Sequence, residues 1–191
     1  IEEEPSALYL NLVFRFVSHW RSNRLNGDDI EADEYQLRSS VKGIINQVLD
    51  ELEKTFGERL VRLGLALMTY SRDGVSISEM EDLLSLDADI LEDLYKHNEA
   101  RSASGSDETK WRVPSHVWIR LRNALGDLVV ERQNGCLQWY HRQLREAAES
   151  RFEDLKSYCH ELLGLYFSNN VSENGYGMKV FSSSAKSRRE L

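Results

Sequence analysis

The feature that most constrains this chain is a single tight-turn signal set inside an otherwise helical pattern. Leu128-Val129-Val130 and Cys136-Leu137-Gln138-Trp139-Tyr140 flank Gln133-Asn134-Gly135. Short apolar runs on either side of Asn-Gly predict a β-hairpin, because these residues tolerate the positive backbone angles of a tight turn. The other periodic stretches repeat at helical spacing, so the fold must seat one hairpin among helices.

Before the hairpin the periodicity divides into segments. Pro5 stands at a helix start, and Leu8, Leu12, Val13, Phe16, Val17 and Trp20 recur on one face, predicting a first helix over residues 5–21. Residues 22–34, with Asn26-Gly27-Asp28-Asp29, read as a surface connection. Val41, Ile44, Ile45, Val48, Leu49, Leu52 and Phe56 then form a stripe that stops at Gly57, a residue suited to the left-handed position after a helix. Over residues 58–72, Leu60, Val61, Leu63, Leu65, Leu67 and Met68 wrap most of the cylinder, as in a helix buried on several sides. This third helix is expected to be central.

Asp73-Gly74 turns the chain, and Ser76-x-x-Glu79 and Ser78-x-x-Glu81 are overlapping capping-box candidates ahead of a short helix with Met80, Leu83 and Leu84. Asp87 or Asp89 can cap another carrying Ile90, Leu91, Leu94 and Tyr95. The polar, Ser-rich stretch near 98–112 reads as an exposed insertion. Pro114 opens a helix with Val117, Trp118, Leu121 and Leu125 inward, and Gly126 closes it. Trp118 and Leu121 are expected against Leu65 and Met68. After the hairpin, Leu144, Ala147, Ala148, Phe152, Leu155, Tyr158, Leu162, Leu163, Tyr166 and Phe167 continue a helical pattern with a break near Phe152. Residues 169–191 lack periodicity and read as a tail or linker.

Helix, helix, helix, hairpin between about residues 58 and 141 is the order of a winged helix. The predicted fold is therefore mainly α. A helical segment covers 1–57, a winged-helix domain with a small β-hairpin wing and its insertion covers 58–141, C-terminal helices cover 142–168, and the tail follows.

Composition narrows the function. Lys and Arg total 24 against 32 Asp and Glu, a net charge of -8 that disfavours nonspecific attraction to nucleic acid or anionic lipid. Only Cys136 and Cys159 are present, too few for a secreted disulfide framework, so a reducing, cytoplasmic setting is expected. No apolar run approaches the about 20 residues needed to cross a bilayer. The opening Ile1-Glu2-Glu3-Glu4 has neither initiator Met nor a cationic start and reads as a piece cut from a longer chain.

Catalytic signatures are missing. Lys54-Thr55 follows Glu53 and Lys186-Ser187 follows Ala185, so neither forms the glycine cradle of a phosphate-binding loop. His19, His97, His116, His141 and His160 are scattered, and the adjacent Cys159-His160 reads as a buried thiol beside an exposed imidazole rather than a metal site. No Gly-x-Ser-x-Gly elbow occurs. The segment is expected to have no catalytic residue, to hold no metal, and not to be an enzyme on its own. Arg120 and Arg122 could reach DNA from the helix that Pro114 opens, but Glu79, Glu81, Asp82, Asp87, Asp89, Glu92 and Asp93 crowd the preceding helices without a Lys or Arg among them. The two arginines read instead as a solvated face. Trp20, Trp111, Trp118 and Trp139 are dispersed, which suits core packing better than a stacking platform.

Tyr140-His141-Arg142-Gln143-Leu144-Arg145-Glu146-Ala147-Ala148 after a hairpin resembles the end of the winged helix in NACHT-type signal-transduction ATPases, the STAND class. The nearest likeness is to the branch with NACHT and WD repeats, including telomerase-associated and nephrocystin-like proteins. Pro5-Ser6-Ala7-Leu8-Tyr9-Leu10 resembles the proline-led helix after the ATPase core, and Phe56-Gly57-Glu58-Arg59-Leu60-Val61 the entry to the winged helix. The stretch from Asp73 to Leu84, then Val113-Pro114-Ser115-His116-Val117-Trp118, complete a resemblance over roughly residues 4–169.

The resemblance implies a regulatory module that folds back over nucleotide held by the ATPase core and is released when ADP gives way to ATP. By the same resemblance His141 reads the ADP phosphates and Pro5 packs near adenine. The segment binds no cofactor alone, and ATP or ADP belongs to the parent protein. Its implied partners are the ATPase core and repeat domains of the same chain, other proteins, and further copies on activation, with neither nucleic acid nor membrane. Trp139-Tyr140 stands before His141 where plant-type members carry Met, and Arg142 follows where they carry Asp. A histidine beside aromatic residues also serves as a packed side chain bonded to backbone. A passive scaffold joining an ATPase to a repeat array, or a DNA-binding winged helix, remain the alternatives.

Overall fold

The computed structural model describes residues 6–18, 37–95, 112–168, 171–173 and 179–181. Pro5, Trp20, Trp111, the 22–34 connection, insertion residues 98–111 and the rest of 169–191 lie outside the described residues. Helix α1 spans Ala7–Ser18, α2 Val41–Phe56 and α3 Glu58–Tyr70. Ser40 caps α2 by accepting from the Gly43 amide, and Gly57, at φ 97°, separates α2 from α3. Strand β1 is Val75–Ser76, followed by α4, Ile77–Leu84, and α5, Ala88–Tyr95. Helix α6 covers Ser115–Leu125, strands β2 and β3 cover Val129–Glu131 and Cys136–Trp139, and α7 and α8 cover Arg142–Arg151 and Lys156–Phe167.

The core forms around α3, whose apolar residues on every side pack it against α2, α4, α7, α8 and β3. One hydrophobic cluster runs from Leu12 of α1 to Tyr166 of α8, so the helices before and after the winged helix share its core. Trp118 is fully buried. Its ring lies against Gly64, where an added Cβ would come 2.9 Å from Cζ3, so the absence of a side chain in α3 is what admits the indole.

The three-stranded antiparallel sheet has the order β1-β3-β2. Val75 pairs with Leu137, and Val129 with Trp139. Gly74, at φ 86°, is required at this seam, since a Cβ there would collide with the Leu137 carbonyl oxygen. The order helix, strand, helix, helix, hairpin is that of a winged helix with β1 as its edge strand.

Several expectations are corrected. Strand β1 has no sequence signal because two residues show no alternation. The hairpin turn is the expected Gln133-Asn134-Gly135 loop, closed by the Gly135 amide donating to the Arg132 carbonyl and the Arg132 amide to the Cys136 carbonyl. Gly135 takes φ 76° at its third position, as in a turn followed by a bulge. Of the overlapping capping boxes, Ser76 with Glu79 forms, and Asp87 rather than Asp89 caps α5 through Ile90. Val17, placed on the inner face by spacing, points outward. Val171–Glu173 and Lys179–Phe181, aperiodic in sequence, pair as antiparallel strands β4 and β5. The break at Phe152 is present, with a short 3-10 turn, Glu153–Leu155, linking α7 to α8.

Three residues of the acid-rich stretch, Glu81, Asp82 and Asp87, are buried in an internal network. Asp87, buried, takes a two-pronged ion pair from Arg59 at 2.9 and 3.0 Å and a further bond from the Tyr158 hydroxyl at 3.2 Å. That hydrogen bonding raises the Arg59 pKa above its ordinary value, against the opposing effect of burial. Asp82 accepts from the Tyr166 hydroxyl at 3.0 Å and pairs with Arg112 at 2.8 Å. Helices α4 and α5 are thereby bolted to α3, to α8 and to the strand-like segment entering α6.

Candidate functional site

The wing ends where the candidate site begins. Trp139 is held inward by a relay in which its indole Nε1 donates to Thr69 Oγ1 at 2.9 Å and Thr69 donates to the Leu65 carbonyl at 2.6 Å. The Tyr140 amide donates to the Leu128 carbonyl at 2.9 Å, closing the open end of the hairpin. The next residue leaves the sheet. His141, with extended backbone at φ -124° and ψ 143°, is the N-cap of α7, and its Nδ1 accepts from the Gln143 amide at 3.2 Å.

That cap has a chemical consequence. An imidazole accepting at Nδ1 carries its proton, when neutral, on Nε2, so the ring's other edge is a donor. The side chain is exposed, as is that of Tyr140. His141 is thus bonded to backbone without being packed, which combines halves of the two roles its sequence context allows.

The first turn of α7 contains no acid, and Arg142 and Arg145 stand there instead. A helix N-terminus carries partial positive charge, so cations there are locally unfavourable and an anion is favoured. Each arginine is drawn down the helix to a partner one turn on, Arg142 to Glu146 at 3.1 Å and Arg145 to Glu149 at 2.9 Å. These exposed pairs are each worth only a few tenths of a kcal/mol, about 0.3–0.5. The edge can therefore present the Nε2 donor at the positive end of a helix, with two arginines loosely held beside it.

At the other end of α7, Arg151 pairs with Asp50 at 2.6 Å and Glu53 at 2.8 Å of α2. Burial opposes the Arg151 charge, but its bonds to Glu53 and Asp50 outweigh this and raise its pKa. The helix that begins with His141 is therefore anchored far from its N-terminus. Pro5, the second expected site residue, lies outside the described residues, so its distance from His141 is undefined.

The remaining sequence candidates fall elsewhere. Arg120 lies over the Phe56 ring at 5.8 Å, engaged with the end of α2. Arg15, half-buried, donates to the Ala124 carbonyl at the C-terminus of α6, and desolvation lowers its pKa against the attraction of Asp127. Cys159 is buried, and that burial pushes its thiol up to about 12, far from a reactive thiolate. Among the described residues, no group of three or more His, Cys, Asp or Glu side chains is placed to hold a metal ion. No described helix is long and apolar enough to cross a membrane.

Sequence reasoning missed Thr69 and Arg145. Thr69 is a polar residue within the buried run of α3, a signal that a partner must exist. Arg145, with Glu149 four residues on, carries the helical ion-pair spacing and was legible in principle.

A family model described as "NWD1-like, winged helix-turn-helix domain" matches residues 32–157. The chain belongs to this family. The match takes in the winged helix and also α2 and α7, the elements that share its core. Human NACHT and WD repeat domain-containing protein 2 is 32% identical over 167 residues, covering 84% of this chain and 9% of that protein. Human NACHT domain- and WD repeat-containing protein 1 is 32% identical over 142 residues, 72% of this chain and 9% of that protein. Its mouse counterpart is 34% identical over 119 residues. This NWD1-like chain therefore spans about 9% of the length of the curated relatives it matches first. No solved structure matches it.

Proposed function

We propose that this NWD1-like winged helix is the regulatory arm of a NACHT-type signal-transduction ATPase, coupling ATP or ADP state to domain rearrangement and assembly. The observation that carries the reading is the edge at His141, an outward Nε2 donor at a helix N-terminus whose first turn holds arginines and no acid. A phosphate-bearing ligand is the chemistry such an edge favours, since donors and the helix dipole both stabilise negative charge. The parent ATPase core would supply the nucleotide, and His141 would hold the ADP form closed. Pro5 would pack near adenine. A NACHT domain named in the relatives supports this placement of the arm beside a nucleotide.

The test uses the intact polypeptide. His141→Ala removes the donor and the cap together. His141→Asp keeps a good helix cap and removes the donor. If the imidazole bonds ADP phosphate in the closed state only, both variants reduce ADP affinity by about 10- to 100-fold and alter ATP affinity much less. Unchanged nucleotide preference in His141→Asp, with stability retained, would remove His141 from the site and leave the scaffold alternative.

A DNA-binding role is less favoured. The net charge of -8 and the placement of Arg120 over the Phe56 ring weigh against DNA reading by α6.

A further inference from the structure

The two helices after the wing are held in different ways. Helix α7 carries the cation of its own anchor: Arg151 pairs with Asp50 and Glu53 of α2, so lifting α7 would strand two partly buried carboxylates. Removing one partner of a buried ion pair is strongly destabilising, because the charge left behind is uncompensated. Helix α8 also reaches buried acids, but through tyrosines. About two turns apart along it, the Tyr158 hydroxyl donates to Asp87 at 3.2 Å and the Tyr166 hydroxyl to Asp82 at 3.0 Å.

Those acids, Asp82 at 5% and Asp87 at 2% exposure, have their cations on other elements. Arg59 comes from α3, and Arg112 from the segment entering α6. Lys156, the one Lys or Arg of α8, lies instead over the Tyr70 ring at 6.0 Å. When α8 leaves, each acid therefore loses a hydroxyl and keeps its arginine. The cost that ties α7 down does not apply to α8.

The boundary between the two helices falls at the same place by other observations. Helix α7 ends at Phe152, and the 3-10 turn Glu153–Leu155 joins it to α8. The family model stops at residue 157, inside the first turn of α8. The apolar hold on α8 is narrow, since its buried residues are Cys159, Leu162 and Tyr166, whereas the fully buried Phe152 stays with α7.

We propose that α8 is a releasable strap: it hinges at residues 153–155 and lifts from α3 and α4 as a unit, while the winged helix and α7 stay folded. The strap gives the module a joint after α7 and uncovers, when open, the side of α3 that α8 packs on. It requires no nucleotide contact at His141, so the two readings stand or fall separately.

Cys159 reports the opening. Its thiol is fully buried and protonated, so a thiol-labelling disulfide reagent reaches it only when α8 lifts. The 191-residue chain is used with Cys136→Ser, which removes the other free thiol. Labelling should rise with urea much less steeply than global unfolding followed by tryptophan fluorescence, because a strap exposes little surface. Tyr158→Phe and Tyr166→Phe should each speed labelling by about 10-fold, the loss of one hydrogen bond to a charged group. Labelling as steep in urea as global unfolding, or unchanged by both substitutions, overturns the proposal. Hydrogen exchange on the unsubstituted chain gives a second reading, in which amides of residues 158–167 open ahead of those in α3 and α7. Exchange of α7 and α8 as one unit would overturn the proposal too, since no hinge would then lie between them.

Discussion

Trp118 shows how one residue can fix a packing arrangement. Its ring fills the space over Gly64, and its indole Nε1 is buried with no hydrogen-bond partner among the described residues. Trp118→Ala should cost about 3–5 kcal/mol through the cavity it leaves. Trp118→Phe should cost clearly less, since it keeps most of the ring and removes the unpaired donor. Gly64→Ala should cost about 1–3 kcal/mol by overpacking. Urea denaturation of the three variants checks the order, and equal midpoints for Gly64→Ala and the parent would show that the ring moves freely. Cys159 supplies a pH signature. Its pKa is raised in the fold from 9.0 to about 12, so the protonated thiol is favoured there. The associated stability is fully present below pH about 9 and is lost as pH rises towards 12. Cys159→Ala should flatten that alkaline decline, measured as melting temperature against pH.

At the scale of elements, the wing is joined to the central helix by the relay from Trp139 through Thr69 to Leu65. Thr69→Val keeps the shape and leaves a buried indole donor unpaired, so a loss of about 1–3 kcal/mol is expected. Faster amide exchange at 136–139 should accompany it, and an unchanged midpoint would show the relay to be dispensable. Helices α2 to α8 were legible in the sequence because long amphipathic periods and capping residues such as Ser76 and Gly57 act locally. Strand β1 was not, since its two residues become a strand only when Leu137 and Cys136 arrive beside them. The burial of the acids was not legible for the same reason. Nothing near Asp87 in sequence announces Arg59 or Tyr158, and a carboxylate without its distant partners looks like surface. The site was half legible: the position of His141 after the hairpin could be read, but its role as a cap, and hence the proton on Nε2, needed the backbone geometry.

For the whole molecule, stability rests on contacts between residues far apart in sequence. Arg59→Ala would leave Asp87 buried with fewer donors and loosen α5, with an expected cost of about 1–3 kcal/mol in the isolated chain. It should leave the ADP-to-ATP preference of the intact polypeptide unchanged, since the network lies apart from His141 in sequence and contact; a calorimetric titration comparing the two nucleotides checks this. The pairing of Arg151 with Asp50 joins residues 101 positions apart. A ribosome adds about 5–20 residues each second, so α2 emerges and waits roughly 5–20 s before its anchor has been made. Throughout that interval the apolar sides of α2 and α3 have no α7 or α8 to cover them. Slowing translation after α3 should therefore increase chaperone capture of the nascent chain, whereas slowing it after α8 should not.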